Sequence, residues 1–383
     1  MPDQVLAMLL DYSPISWGSR EDMNLRFCQV LTTRGVRSVL VFSEDVPDVI
    51  RDKYMANGIE IAPPMNYSQG SLKYYRKLGE LIRNYCVTTV HIGFFNYFSL
   101  IPWMARSKGV RHILYHERNP GTSRAKSWKK HLLRLRGRLI TLPMTRIAAI
   151  SCFVKDQLVA LGVPEHKIAL VYNGIDTRRY FPDSSAKQRL IARFSLPHGE
   201  IILATLSYLK PHKNIDTVIE ACVQLGKRGV SFRLFVIGDG PMRNKLEALC
   251  KIVDIADHVE WLGHISDPVP ILQACDIFLM VSLGEGFGLA LAEAMACGAA
   301  CVAADSGALR EIVEHGTSGL LVMPRDSTGL ADAVEKLARD EKLRCQMGRL
   351  AVERVRRYFA LEASIEEMIK SYQLMWSSPD RGH

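Results

Sequence analysis

Two glutamates flank a glycine-rich turn in the C-terminal half of this 383-residue chain. Glu285 opens the run Glu-Gly-Phe-Gly, and Glu293 follows inside Leu-Ala-Leu-Ala-Glu-Ala-Met-Ala-Cys. Glycines let a ligand approach the backbone closely. A helix over 289–297 would present its unpaired amides and its positive dipole end to that ligand. The pattern therefore predicts a binding site for an anion or for hydroxyl groups.

Glu293 is the one charged residue of this small and apolar helical segment, so we expect its side chain to be buried. A buried carboxylate is costly unless it accepts hydrogen bonds. The diol of a ribose could donate them, and so could neighbouring backbone amides. The chemistry alone leaves both interpretations open.

The segments that must position these residues alternate between two patterns. Apolar, β-branched runs predict strands, and apolar residues at helical spacing predict helices between them, for instance over 24–34, 217–227 and 242–252. The predicted strands form two series, at 5–11, 38–43, 88–93, 112–116, 146–151 and 169–173, and at 201–207, 232–238, 259–263, 276–282, 300–304 and 320–323. Such alternation is typical of parallel α/β sheets. We predict two doubly wound, Rossmann-like domains that face each other across a cleft.

The predicted boundary lies in the Pro-, Ser- and Gly-containing stretch 176–200. We assign 1–180 to an N-terminal and 181–360 to a C-terminal Rossmann-like domain. Residues 361–383 are predicted to form a C-terminal helix and tail.

Composition narrows the function classes. Nine cysteines occur without a Cys-x-x-Cys pair, which indicates reduced thiols in a cytoplasmic protein rather than a disulfide framework or a zinc site. The apolar run at 5–10 is too short for a signal peptide or a membrane span. The net charge of +9 favours anionic partners. The chain shows no recognised DNA- or RNA-binding motif, so nucleic acid is not expected.

The segment from Glu285 to Gly298, with its two glutamates eight positions apart, closely resembles the signature of the group 1 (family 4) retaining glycosyltransferases of GT-B fold. Other segments resemble that family in register, densely from about 148 to 324. They are Asn-Gly-Ile-Asp at 173–176, Leu-Lys-Pro-His-Lys-Asn at 209–214, the glycine turns at 236–241 and 261–264, and the stretches 305–313 and 316–321.

The resemblance implies a nucleotide-sugar (donor) site in the C-terminal domain and acceptor binding by the N-terminal domain. It also implies that the C-terminal helix crosses back to the N-terminal domain. Glu293 would bind the ribose hydroxyls and Glu285 would lie near the donor sugar, while Lys213 would neutralise the departing diphosphate. The remaining predicted donor contacts are Gly18, Lys210, Gly238, Gly263, His264, Gly286, Phe287, Gly288 and Leu289. His116, at a predicted strand end, would lie close to the donor sugar, and we group it with Glu285 and Lys213 as a catalytic candidate. His91, at another strand end, is the weaker candidate.

Three features qualify this resemblance. Tyr208 stands where the family usually has an arginine, and Lys210 could supply that charge or be a solvated loop lysine. Around Gly18 the family's Gly-Gly pair is replaced by Ser-Trp-Gly-Ser. The chain has no Asp-x-Asp motif, so we expect a reaction without a metal or other cofactor. Because no nucleophile is evident, retention would follow a same-face mechanism.

A basic segment at 118–146 carries nine Lys and Arg residues interleaved with Trp128 and leucines. It predicts contact with an anionic membrane surface, at the inner face of the membrane, or with a polyanionic saccharide. A solvated helix face accounts for the same pattern.

The sequence as a whole predicts transfer of a sugar from a UDP- or GDP-linked donor to a saccharide or lipid-linked acceptor, in bacterial polysaccharide or glycolipid synthesis. Two alternatives remain: a degenerate protein that only binds sugar nucleotides, and a sugar-nucleotide epimerase of the same fold.

Overall fold

The computed structural model describes residues 4–14, 17–68, 71–94, 99–117, 127–197 and 199–376, with the side chains of 127–132 and 373–376 left aside. The chain divides into two compact units. The first contains Met1–Tyr172 together with Glu362–His383, and the second contains Asn173–Leu361.

The first unit is built on a seven-stranded parallel sheet with the order β3-β2-β1-β4-β5-β6-β7. Its strands are β1 (Gln4–Leu10), β2 (Val36–Phe42), β3 (Glu60–Ile61), β4 (Thr89–Gly93), β5 (His112–Glu117), β6 (Arg146–Ala149) and β7 (Ile168–Leu170). The helices between them are α1 (Ser19–Thr33), α2 (Asp48–Met55), α3 (Leu72–Asn84), α4 (Ile101–Ser107), α5 (Ser127–Thr141) and α6 (Cys152–Ala160). Every residue of β4 is buried, so side chains on both faces of the sheet are covered.

The second unit has a six-stranded parallel sheet with the order β10-β9-β8-β11-β12-β13. Its strands are β8 (Ile201–Leu206), β9 (Phe232–Ile237), β10 (Val259–Gly263), β11 (Ile277–Met280), β12 (Ala300–Ala304) and β13 (Leu320–Val322). Its helices are α7 (Ala186–Phe194), α8 (Ile215–Lys227), α9 (Arg243–Ile252), α10 (Val269–Ala274), α11 (Leu289–Ala296), α12 (Leu309–Ile312), α13 (Ser327–Arg339) and α14 (Glu341–Tyr358).

Each sheet has one point at which the strand order reverses. In the first unit β1 pairs with both β2 and β4, and in the second β8 pairs with both β9 and β11. Ligands of open parallel sheets bind at the carboxyl ends of the strands that flank such a switch point. The fold therefore marks one preferred binding edge in each unit.

The C-terminal helix α15 (Leu361–Trp376) is held on the first unit beyond its first residue. Ser364 Oγ donates to the Tyr172 carbonyl at 2.5 Å, and the Tyr372 hydroxyl lies 2.8 Å from His91 Nδ1. The predicted return of this helix to the N-terminal domain is confirmed by these contacts.

All twelve predicted strands form, and α15 occupies the residues predicted for it. The pattern missed only β3 among the described strands, because two residues are too few to show alternation. The units separate after Tyr172, ahead of the predicted boundary at 180. Residues just after Tyr172 cluster with the second unit because Ile175 exchanges backbone hydrogen bonds with Phe359 and Leu361.

Candidate active site

An ion pair lies at the switch point of the second sheet. Lys213 follows β8 and Glu285 follows β11, and these two strands are hydrogen-bonded neighbours. The Lys213 ammonium donates to Glu285 Oε1, with side chains only 15% and 16% exposed. The structure thus brings together two predicted site residues that are far apart in sequence, at the edge where a ligand is expected.

The loop that carries Lys213 has a defined backbone. Pro211–Lys213 form a single 3₁₀ turn, and a proline at its start fixes the required φ. Asn214 then takes a left-handed conformation with a φ of 59° and opens α8, which asparagine tolerates better than most residues. The amide of Leu283 donates to the His212 carbonyl at 2.8 Å, so this loop is tied to the one that carries Glu285.

A turn that sequence reasoning assigned no role supports Glu285. Ser306 Oγ donates to the Ser282 carbonyl at 2.6 Å, and the amide of Ala308 donates to the Glu285 carbonyl at 3.0 Å. Gly307 has a φ of 55°, and a Cβ there would lie 2.7 Å from the Glu285 carbonyl oxygen. The Ser-Gly pair directly after a strand was the available signal, since such a pair permits a close backbone approach.

The glycine-rich turn opens α11 as predicted. Gly288 is the N-cap in a left-handed conformation, and a Cβ there would lie 2.7 Å from Leu309 Cδ2. The Phe287 side chain is buried against Phe359, with ring centroids 5.5 Å apart. Because the Phe287 side chain packs in the core, we expect a ligand to contact the backbone of Gly286–Gly288 and the first amides of α11, from Leu289 onward.

Glu293 lies one turn into α11 and is 7% exposed, so the expectation of burial is confirmed. Its predicted role as the ribose ligand stays a prediction. The same holds for the role of Lys213 toward a diphosphate and of Glu285 toward a sugar.

Two further predicted glycines join the ends of β9 and β10. The amide of Gly238 donates to the Gly263 carbonyl at 2.8 Å, and a Cβ on Gly238 would lie 2.0 Å from the Ser207 carbonyl oxygen. His264, directly after β10, is exposed. These residues lie at the carboxyl edge of the same sheet, where the donor is expected. Their predicted contact with the donor stays a prediction.

Lys210 and Tyr208 are both exposed, and the Lys210 ammonium lies 5.1 Å from the centre of the Tyr208 ring. A cation over a ring face gains roughly 0.5–1 kcal/mol at an exposed site. Lys210 is therefore partnered by the residue that replaces the family arginine. Its predicted contact with the donor stays a prediction.

In the first unit Gly18 is the N-cap of α1, and its amide donates to Glu21 Oε2 at 3.0 Å. Glu21 also accepts a hydrogen bond from the Tyr12 hydroxyl at 3.1 Å. Burial raises the pKa of Glu21, and the nearby Arg20 opposes that shift. Ser16 lies outside the described residues, so only part of the predicted Ser16–Glu21 loop can be placed.

His116 ends up inside the first unit rather than on an open strand end. It is 1% exposed, and its ring lies 5.3 Å from that of His91. His91 in turn lies 2.8 Å, through its Nδ1, from the Tyr372 hydroxyl of α15, and its standing as the weaker candidate stays a prediction. Nothing tests the predicted catalytic role of His116.

The basic segment is described only in part. Residues 118–126 lie outside the described residues, and the side chains of 127–132 are not described either. The remainder forms the C-terminal half of α5.

Within the described ranges, no set of three or more His, Cys, Asp or Glu side chains is arranged to bind a metal ion. The predicted independence from metals and other cofactors stays a prediction. No helix in the described part of the chain has both the length and the apolar character needed to cross a membrane.

Two parallel-sheet, Rossmann-like units with a glycine-lined site at the switch point of the second define the GT-B fold, and comparison with known structures confirms it. A UDP-glucose complex of Anabaena HepE matches with a TM-score of 0.81 at 20% identity, over 96% of this chain and 99% of that one. A glycosyltransferase from Rickettsia africae matches with a TM-score of 0.81 at 16% identity, over 99% and 100%.

Family models describe both halves of the chain. The model "Glycosyl transferases group 1" matches residues 186–354, and "Glycosyltransferase Family 4" matches residues 22–179. The chain therefore belongs to the group 1 (family 4) glycosyltransferases.

Among curated relatives, the N-acetyl-alpha-D-glucosaminyl L-malate synthase of Bacillus anthracis is 33% identical over 58% of this chain and 57% of its own length. The phosphatidyl-myo-inositol mannosyltransferase of Mycobacterium leprae is 26% identical over 92% of both chains. By contrast with this second relative, the chain spans little more than half the length of several curated relatives that are about 30% identical to it.

Proposed function

We propose that this protein transfers a sugar from a UDP- or GDP-linked donor to an acceptor hydroxyl with retention of configuration. The observation that carries the proposal is the Lys213–Glu285 ion pair beside the start of α11, at the switch point of the second sheet. It combines a fixed cation, a carboxylate and unpaired helix amides, which are the groups that a diphosphate and a sugar ring require.

The reaction needs charge stabilisation more than a nucleophile. As the glycosidic bond breaks, negative charge grows on the leaving diphosphate, and a fixed ammonium stabilises that charge most in the transition state. Lys213 supplies this charge. Glu285 orients the Lys213 ammonium group and faces the sugar, and Glu293 binds the ribose. In the same-face mechanism, the leaving phosphate oxygen takes the proton of the acceptor hydroxyl while the new glycosidic bond forms. His116 orients the acceptor.

Relatives support a nucleotide-sugar donor but differ in the base. HepE was solved with UDP-glucose, whereas a Mycobacterium tuberculosis relative, 30% identical over 211 residues, is named for its dependence on GDP-mannose. We therefore propose both bases as candidates, and synthesis of a bacterial polysaccharide or glycolipid as the context.

The first test is thermal stabilisation by UDP, GDP and other nucleoside diphosphates. A ligand at about 100 times its Kd stabilises the folded state by roughly 2.7 kcal/mol. Selective stabilisation by UDP or GDP is expected, with ATP and the free nucleosides as controls. Retention is then read from the anomeric proton couplings of the product. Absence of any nucleotide effect would refute the donor site, and an inverted product would refute the same-face mechanism.

A second candidate function is binding without transfer. Tyr208 favours it, because an exposed aromatic ring stands where the family places an arginine near the diphosphate. Nucleotide stabilisation without any donor turnover, together with turnover gained by Tyr208→Arg, would support this candidate. Donor hydrolysis or transfer by the wild-type protein would exclude it.

We also propose that α5 contacts an anionic membrane surface. Gly137, Ile140 and Thr141 face the interior, and a Cβ on Gly137 would lie only 2.0 Å from the Leu161 carbonyl oxygen. The opposite side carries Leu135 and Leu139, and Leu142 follows the helix directly; these leucines are 56%, 50% and 59% exposed. Exposed Arg134, Arg136 and Arg138 flank these leucines. Leucines amid arginines fit the boundary between lipid tails and acidic headgroups.

Co-sedimentation with vesicles tests this face. Binding is expected with phosphatidylglycerol, and little with phosphatidylcholine alone or at high salt. Leu139→Ser should weaken binding about fivefold, because roughly half of a leucine would no longer be buried in lipid. Val49→Ser is the matched control, since Val49 is exposed on α2 of the same unit. Equal binding to neutral vesicles, or equal effects of the two variants, would contradict the proposal.

A further inference from the structure

A cavity of about 270 Å³ opens at the carboxyl ends of β1 and β2 in the first unit. Leu10, Phe42 and Met65 form its apolar part. Its polar part is contributed by Asp11, Ser43, Glu44, Asn66, Tyr67 and Tyr74. Small-molecule sites are lined in this way, with apolar walls and a few converging polar groups, and their volumes begin at roughly 300 Å³. At about 270 Å³ the cavity lies near the lower end of that range, which suits a ligand of about one sugar ring.

The walls of the cavity are held by the sheet. The amide of Asp11 donates to the Gly93 carbonyl at 3.1 Å, which fixes Asp11 beside β4 at the switch point. The amide of Met65 donates to the Phe42 carbonyl at 2.9 Å, so the chain after β3 continues alongside the end of β2. Asp11 and the segment at Met65 are thus fixed by backbone hydrogen bonds, and Tyr74 is held in α3, so little reorganisation of these parts is needed on binding.

The charge of the cavity is opposite to that of the protein. Two carboxylates, on Asp11 and Glu44, line it, and none of the described residues that line it is Lys, Arg or His, although the whole chain carries a net charge of +9. Tyr74 is fully buried, and burial together with the charge of Asp11 raises the pKa of its hydroxyl, which therefore remains protonated. A phosphate or a carboxylate would meet two like charges here, whereas hydroxyl and ammonium groups would meet acceptors.

We infer that this cavity binds an uncharged or amino-bearing sugar unit of the acceptor, with Asp11 and Glu44 as the residues that select against anionic acceptors. The inference rests on the proposed transferase function, and it adds the chemical class of the second substrate. Asp11 and Glu44 accept hydrogen bonds from sugar hydroxyl or ammonium groups, and Phe42 and Met65 contact the apolar face of the ring.

The test uses three probes: methyl α-glucoside, glucosamine and glucuronic acid. Each is offered to the full-length protein with the nucleotide donor that stabilises it. Two readouts are recorded, release of the nucleoside diphosphate and ligand-observed saturation-transfer NMR. The neutral and amino sugars are expected to bind and to accelerate release, and glucuronic acid is not.

Glu44→Lys should reverse this preference, because Glu44 is exposed on a loop and its replacement leaves the core intact. Asp11→Asn should raise the KM for the neutral probe roughly tenfold, because the hydrogen bond from the probe to the charged Asp11 carboxylate is lost. The KM for the nucleotide sugar should be unchanged. Asp45→Asn is the matched control, since the Asp45 side chain is 81% exposed and is not among the cavity residues.

Three results would overturn the inference: no probe bound by the wild-type protein in either readout, glucuronic acid preferred by it, or an unchanged preference in Glu44→Lys. If nucleotides still stabilise the protein in those cases, only the acceptor assignment fails. If they do not, the proposed function itself fails.

Discussion

Replacing Lys213 by methionine removes the ammonium group and keeps most of the side-chain volume, so it isolates the charge at the switch point of the second sheet. Two consequences of different size are expected. Glu285 loses its ion-pair partner, and a nucleoside diphosphate bound as proposed loses the ammonium of Lys213.

The effect on stability should be the smaller one. Removing one partner of a fully buried pair costs about 3–5 kcal/mol, and fully exposed pairs are worth about 0–1 kcal/mol. With 15% and 16% exposure this pair lies between these limits, and Glu285 can turn to solvent once it is unpaired. We expect a loss of about 1–2 kcal/mol in the free energy of unfolding.

The effect on nucleotide binding should be larger. A unit charge about 4 Å from the lysine contributes about 4 kcal/mol at an effective dielectric constant of about 20. Glu285 already cancels part of that field in the wild-type protein. A net loss of about 2–3 kcal/mol corresponds to a roughly 30- to 150-fold weaker Kd. Glu285→Gln should act in the opposite direction on Kd, because it removes the carboxylate that competes with the diphosphate for Lys213, while transfer is lost.

Isothermal titration calorimetry with UDP, GDP and the parent nucleosides measures these changes. The loss in Lys213→Met should appear only for the diphosphates. Lys227→Met is the matched control, since Lys227 is exposed in the last turn of α8 and the net charge changes equally. Unchanged affinity for the diphosphates in a folded Lys213→Met protein would refute the electrostatic reasoning, and so would an equal loss for the nucleosides.

Two further predictions concern the supports of the two binding edges. Gly307→Ala should lower the free energy of unfolding by about 1–3 kcal/mol more than Gly316→Ala. Both glycines have a positive φ, but only a Cβ at 307 would contact the Glu285 backbone. Equal melting temperatures of the two variants would contradict this prediction. Burial raises the pKa of Glu21 above its ordinary 4.5, so its contribution to stability is fully present below pH 4.5 and is lost as pH rises through the raised value. The stability of the wild-type protein relative to Glu21→Gln should therefore decline with pH across that window in chemical denaturation, and a rise would show that the carboxylate is stabilised.

The strands could be predicted because they follow from local sequence pattern. The pairing of Lys213 with Glu285 follows from one topological rule. Parallel strands end at the same edge, so residues that follow β8 and β11 must be neighbours once these strands are neighbours. The glycine turn before α11 is likewise local, and its left-handed Gly288 is what a glycine in that position indicates.

Other parts of the site depend on contacts that no local pattern encodes. The turn at Ser306–Ala308, which follows β12, supports Glu285, and the Ser-Gly pair alone did not indicate which backbone it would contact. The sequence predicted His116 at an accessible strand end, yet its side chain is buried beside His91. His91 in turn contacts Tyr372, which is far away in the sequence. Burial of that kind is decided by tertiary packing, and the position of α15 could be inferred only from the family resemblance.

The two binding edges differ in charge, and that difference bears on substrate selection. In the second unit a lysine and helix amides meet at the switch point, where a diphosphate is favoured. In the first unit the cavity at the carboxyl ends of β1 and β2 has two carboxylates and, among the residues that the structure describes, no basic lining residue, so a diphosphate is disfavoured inside that cavity. Two similar Rossmann-like sheets could otherwise each accept a nucleotide at their switch points. Under the acceptor assignment proposed above, the carboxylates of Asp11 and Glu44 would keep the donor out of this cavity, so that each unit would bind one substrate class.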